Sequence, residues 1–136
     1  MTTFTNAERH RYYGLRIGDL VEIKIWKELK LHAEVIEYGY LDNNRVILRL
    51  LDGSQAGEVC DWVAEHCTIT EKVEDRFADW MFTIGNKVCK KTGKPFKSSF
   101  KENTVRGVIN HPEINKPAFV FEEDDSYVEC RRCLCV

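Results

Sequence analysis

The chain repeats itself, and this constrains its fold more than any other feature of the sequence. Ile17-Gly18-Asp19-Leu20-Val21 returns in type and spacing as Ile84-Gly85-Asn86-Lys87-Val88, a period of about 67 residues within 136. The echo continues: Thr104-Val105-Arg106-Gly107-Val108-Ile109 answers Ala33-Glu34-Val35-Ile36, and Ala118-Phe119-Val120-Phe121 answers Val46-Ile47-Leu48. One plan used twice in so short a chain leaves each copy a modest core and no room for a large catalytic fold.

The plan itself is β. In the first copy a Gly-Asp turn leads into Leu20-Val21-Glu22-Ile23-Lys24-Ile25-Trp26, where polar and apolar residues alternate as in a strand with one wet face. Residues 31–38 and 45–50 read the same way, separated by the turn formers Asp42-Asn43-Asn44 and followed by Asp52-Gly53. A short strand at Val59, a helical turn around Trp62 and a closing strand at Cys67-Thr68-Ile69 complete the copy. Short strands, tight turns and a late helical turn suit a small barrel, because closure removes exposed sheet edges. The expected fold is therefore mainly β, with two small SH3-like barrels in tandem. An N-terminal segment, 1–14, is expected to hold a short helix over 6–13. The first barrel spans 15–69 and the second 84–136. Between them the period changes: Val73, Phe77, Trp80 and Met81 fall on one helical face, predicting an amphipathic linking helix over 70–83.

The motifs Gly18-Asp19-x-Val21, Ala33-Glu34-Val35-Ile36, Val46-Ile47-Leu48 and Asp52-Gly53 resemble SH3-like barrels of the KOW or Tudor type. That resemblance implies a fold rather than a function. The second half, through Thr92-Gly93-Lys94-Pro95-Phe96 and the stretch from Phe121 to Cys130, resembles short uncharacterised proteins of bacteria and their phages, which implies no activity.

Composition bears on where such a chain works. At 43% hydrophobic and 31% charged residues it is balanced for a globular fold in water, and apolar runs such as Val46-Ile47-Leu48 fall far short of the roughly 20 residues of a membrane helix. No membrane partner is expected. The N-terminal residues lack the pattern of a secretory signal, so the six cysteines are expected to be reduced and the protein cytoplasmic. Cys130-Arg131-Arg132-Cys133-Leu134-Cys135 contains one Cys-x-x-Cys, and with Cys89 it offers ligands for a structural zinc. Free thiols without any cofactor are the first expectation, since a second such pair is missing.

Candidate binding residues concentrate in the second half. The loop over 90–102 and its flanks carry Lys90, Lys91, Lys94, Lys97, Lys101 and Arg106, with Phe96 and Phe100 interleaved. Lysines attract phosphate and exposed aromatic rings stack on bases, so the loop suits nucleic acid or a nucleotide. The competing reading is a solvated hairpin whose phenylalanines turn inward. The acidic run Glu122-Glu123-Asp124-Asp125 is expected to meet those lysines, within the domain or across a homo-oligomer. In the first barrel Trp26, Tyr38, Tyr40 and Trp62 could line an interaction groove or fill the core. Catalysis has no constellation behind it: His10, His32, His66 and His111 are scattered, and Pro95 stands where a phosphate loop would need Ser or Thr. The expected function is a non-enzymatic binding protein that presents its basic loop to nucleic acid or a nucleotide. The alternative is a protein-interaction module, such as a phage-type inhibitor that docks on a host protein.

Overall fold

The computed structural model describes residues 14–39 and 44–136. The helix expected over 6–13 and the candidate residue Tyr40 lie outside them. The described chain is mainly β and divides between Arg76 and Phe77 into two compact units, each built on a five-stranded antiparallel sheet. The first unit holds β1 (Leu20–Trp26), β2 (Leu29–Tyr38), β3 (Arg45–Leu50), β4 (Val59–Val63) and β5 (Cys67–Glu71), in the spatial order β4-β3-β2-β1-β5. The second holds β6 (Lys87–Lys90), β7 (Asn103–Asn110), β8 (Pro117–Phe121), β9 (Tyr127–Glu129) and β10 (Cys133–Cys135), ordered β10-β6-β7-β8-β9. Each strand of the second unit thus takes the place of the strand five before it.

Both sheets must curl. β4 and β5 are the outer strands of the first sheet, yet only the 3-10 turn Ala64–His66 joins them. Laid flat, the outer two of five strands would stand about 19 Å apart, whereas three residues of 3-10 helix rise only about 6 Å. The edges therefore have to approach one another, which makes the sheet a small barrel. Cys130–Arg132 imposes the same closure on the second sheet by joining β9 to β10. The stretch read from the sequence as a Cys-x-x-Cys motif is a turn and a fifth strand.

The repeat extends to details of register. Val35 and Val105 are fully buried, but the next residue of each strand, Ile36 or Arg106, is skipped in the pairing to the neighbouring strand. One extra residue reverses which side chains face inward, so Tyr38 is the next buried residue after Val35, and Val108 joins Val105 in the core cluster of the second unit. Gly18 and Gly85 have φ of 96° and 86°, and their N–H groups donate to Val35 O and Val105 O at 2.7 Å each. A Cβ is disfavoured in that conformation, which explains why glycine recurs at this point of the repeat.

The linking segment differs from the single helix expected over 70–83. Thr70 and Glu71 belong to β5, Val73–Arg76 makes one helical turn, and Phe77 leaves helical geometry at φ −131°, ψ 42° before the 3-10 run Ala78–Thr83. The apolar stripe serves two cores rather than one face. Val73 is fully buried in the first unit, whereas Phe77, Trp80 and Met81 pack against the core of Val88, Val105, Phe119 and Phe121 in the second.

Two buried acids anchor Val73–Arg76 to the first barrel. Asp19, fully buried, accepts hydrogen bonds from Arg16 N (2.8 Å) and Val73 N (2.9 Å). Glu34, also fully buried, is bonded by Arg49 from β3 and by Arg76 Nη1 at 2.7 Å. Two cations meet one carboxylate out of water, an arrangement that tolerates the loss of none of its members well.

Candidate anion-binding cleft

The basic loop is partly tied down by the acidic turn of its own barrel. Asp124 accepts from Ser98 N, Asn103 Nδ2 and Ser126 N, each at 2.9 Å, and Glu123 accepts from Thr104 N at 2.7 Å and Thr104 Oγ1 at 2.8 Å. Asp125 pairs with Lys97. Burial works against a charge on Asp124, but its hydrogen bonds from Ser126, Asn103 and Ser98 outweigh that and hold its carboxyl below the usual range. Asp125 is lowered as well, by the Lys97 ammonium bonded to it, and Lys97 is raised in return. Glu122 is exposed.

The two loop phenylalanines part company. Phe96 is 3% exposed and packs on Phe121 with ring centroids 4.9 Å apart, so it belongs to the core and is not available to stack on a ligand. An aromatic beside lysines can equally be the apolar plug that lets a loop close over a barrel. Phe100 stays exposed at 58%. Lys90 Nζ lies 5.4 Å over the Phe96 ring, and Lys101 Nζ donates to Gly93 O at 2.7 Å. Lys91 and Lys94 are exposed, and Arg106 is half-buried at the bulge.

The structure therefore divides the predicted set. Phe100 and Lys101 line a shallow depression with Lys87. Lys90 and Lys91 instead line a larger open cleft of about 590 Å³ at the other end of β6, together with Arg131 and Arg132 from the turn before β10. Lys91 N donates to Arg132 O at 2.9 Å, which ties the two basic pairs into one rim. Beside them Tyr127 of β9 and His111, just past β7, meet nearly edge-on, with ring centroids 6.0 Å apart and planes at 67°. Two carboxylates also reach the cleft, Glu113 and Glu129. Glu129 is committed: Arg131 Nε bonds it at 3.0 Å and Arg132 Nε approaches to 3.5 Å. The hydrogen bond from Arg131 lowers its pKa against the opposing effect of burial. Four cations against two carboxylates leave the cleft net positive, a surface that attracts anions.

Tyr127, His111, Arg131 and Arg132 were not singled out from the sequence as ligand contacts. Arg131-Arg132 lay inside the cysteine motif and drew no separate reading, and nothing local in the sequence announces that the turn at 130–132 folds against the end of β6.

The remaining candidates scatter. In the first barrel Tyr38 is a core residue at 5% exposure whose hydroxyl accepts from Ile17 N, so it lines no groove. Trp62 is half-buried, while Trp26 is 69% exposed at the end of β1. Cys89 faces Leu134 across the β6–β10 pair rather than another cysteine, and Cys130 is fully buried. Burial pushes the Cys133 thiol up to about 11, with the neighbouring Cys89 adding to it, and raises Cys130 further. Such thiols are protonated and unreactive at neutral pH. Among the described residues no three His, Cys, Asp or Glu side chains converge as a metal site, and no helix is long and apolar enough to cross a membrane.

No protein-family model matches the chain, and no curated protein matches it in sequence.

Proposed function

We propose that the chain is a non-enzymatic binding protein built from two SH3-like barrels, the second of which holds an anionic ligand of the nucleic-acid or nucleotide class. The observation that carries this reading is the cleft in which Lys90, Lys91, Arg131 and Arg132 stand beside an aromatic pair. Cations supply affinity for phosphate and aromatic rings supply a platform for a base, a combination that a purely solvated surface does not need. The basic loop contributes through its Lys90–Lys91 end rather than through Phe96.

Binding of a fluorescent oligonucleotide to the full chain tests the proposal. The expected result is measurable affinity that falls steeply with added salt, by roughly tenfold or more between 50 and 200 mM if several phosphates are engaged. Arg131→Glu with Arg132→Glu should remove it. Retention of full affinity by that double variant would overturn the proposal.

A second reading rests on the β1–β2 hairpin of the first barrel. Trp26 is 69% and Leu29 54% exposed there, and Lys27 in the turn holds φ at 43°. Large apolar residues presented on a tight turn suit docking onto another protein, as a phage-type inhibitor would. Such binding would respond to Trp26→Ala and hardly to salt.

A further inference from the structure

We infer that the cleft of the second barrel selects single-stranded nucleic acid, holding one unpaired base against Tyr127 while the basic rim takes the phosphates on either side of it. This rests on the anion-binding reading above and goes beyond it by naming the form of the ligand.

The geometry argues for it in three steps. First, the rim is built for phosphate. Arg131 and Arg132 meet Glu129 through Nε, and their side chains are 66% and 77% exposed, so most of each guanidinium is open to solvent. A guanidinium oriented on one side by a carboxylate presents its remaining N–H groups as a fork that fits phosphate oxygens. Lys91, bonded through its backbone to Arg132, continues the line of charge.

Second, the platform is set beside that line. Tyr127 is 40% exposed, and His111 meets it in a nearly edge-on pair. Third, the size is right for a nucleotide and wrong for a duplex. A cleft of about 590 Å³ lies within the range of small-ligand sites. A base inside a duplex is already stacked on its neighbours and cannot be laid on a side chain without being pulled out. The charged rim alone would bind any polyphosphate backbone. The ring adds affinity only for a base that is free to stack.

The test uses the full chain and fluorescence anisotropy with a 12-nucleotide oligo(dT), its duplex with oligo(dA), and a free mononucleotide as competitor. The wild type should prefer the single strand to the duplex by about tenfold. Tyr127→Ala should weaken single-strand binding by a similar factor and leave duplex binding unchanged, and Tyr127→Phe should retain the preference. Arg131→Glu with Arg132→Glu should weaken both forms together, with circular dichroism confirming that the variants fold. Equal affinity of the wild type for the two forms, or an unchanged preference in Tyr127→Ala, would overturn this inference while leaving the anion-binding reading intact. Undiminished binding by the double arginine variant would overturn both. A mononucleotide that competes at its own concentration as well as the oligonucleotide does would identify a nucleotide site and also defeat the single-strand assignment.

Discussion

Before their last strands the two barrels carry the same 3-10 turn with opposite charge. Glu65 and His66 occupy it in the first, Arg131 and Arg132 in the second. On the adjacent strand Asp61 stands across from Ile47, while Tyr127 stands across from the corresponding Val120. The frame beneath is shared down to the glycine turn, the bulge and the strand order. Closure and hydrogen bonding dictate the frame, so both copies keep it. Side chains on the outer face of the turn are under no such constraint, and there one copy has become acidic and the other basic and aromatic. A function that belongs to one barrel only is to be sought at such positions.

The copies also differ in how they are held together, and Glu34 gives the largest expected effect. Glu34→Gln leaves Arg49 and Arg76 buried without their shared carboxylate and should destabilise the protein by about 3–5 kcal/mol in urea unfolding. Thr104, which precedes Val105 as Glu34 precedes Val35, carries no charge, and its hydroxyl donates to the half-buried Glu123. Thr104→Val should therefore cost only about 1 kcal/mol. Equal losses at the two positions would break the contrast between a barrel braced by buried charge and one that is not.

A smaller difference is expected at the repeated turn. Asp19 is fully buried and accepts two backbone N–H groups, whereas its counterpart Asn86 makes an exposed bond to Phe82 O at 2.8 Å. Asp19→Ala strands two buried donors and should cost about 2–4 kcal/mol, against less than about 1 kcal/mol for Asn86→Ala. Thermal or urea melts of the two variants, side by side, read the difference directly.

Much of this was legible in the sequence, and the reason is periodicity. Alternation in 20–26 and 45–50, and the recurrence of Ile-Gly-Asx, follow from strand geometry and a positive-φ turn, so the mainly β fold and its doubling could be read from residue order alone. What could not be read depended on which core claims a residue. Val73, Phe77, Trp80 and Met81 have helical spacing, but the chain is divided after Arg76 and gives one residue to one barrel and three to the other. Phe96 looks like Phe100 in sequence; only the Phe121 ring beside it makes it core. The cleft was the least legible feature, since Lys91 and Arg132 are brought together by barrel closure, a contact across some forty residues that no local pattern encodes.

Protonation acts on different groups in the two barrels, and it is the smallest effect expected. In the first, His32 Nδ1 contacts Asp52 at 2.7 Å and Nε2 lies 3.6 Å from Glu22. The hydrogen bond to Asp52 raises the imidazole above its ordinary 6.5. A group whose folded pKa is raised contributes stability in full below the unfolded value and loses it as pH rises through the folded one, so this pair weakens on going above 6.5. In the second barrel Asp124 and Asp125 are depressed below 3.8. Their contribution is present above 3.8 and is lost as pH falls through their folded values. An NMR titration of the His32 ring should give a midpoint above 6.5 that returns toward 6.5 in Asp52→Asn and moves less in Glu22→Gln, because Glu22 acts only through space. A midpoint unmoved by Asp52→Asn would show that the carboxylate does not hold the ring in solution. The first barrel would then lack the alkaline-side weakening at His32, while the acid-side weakening at Asp124 and Asp125 of the second would remain.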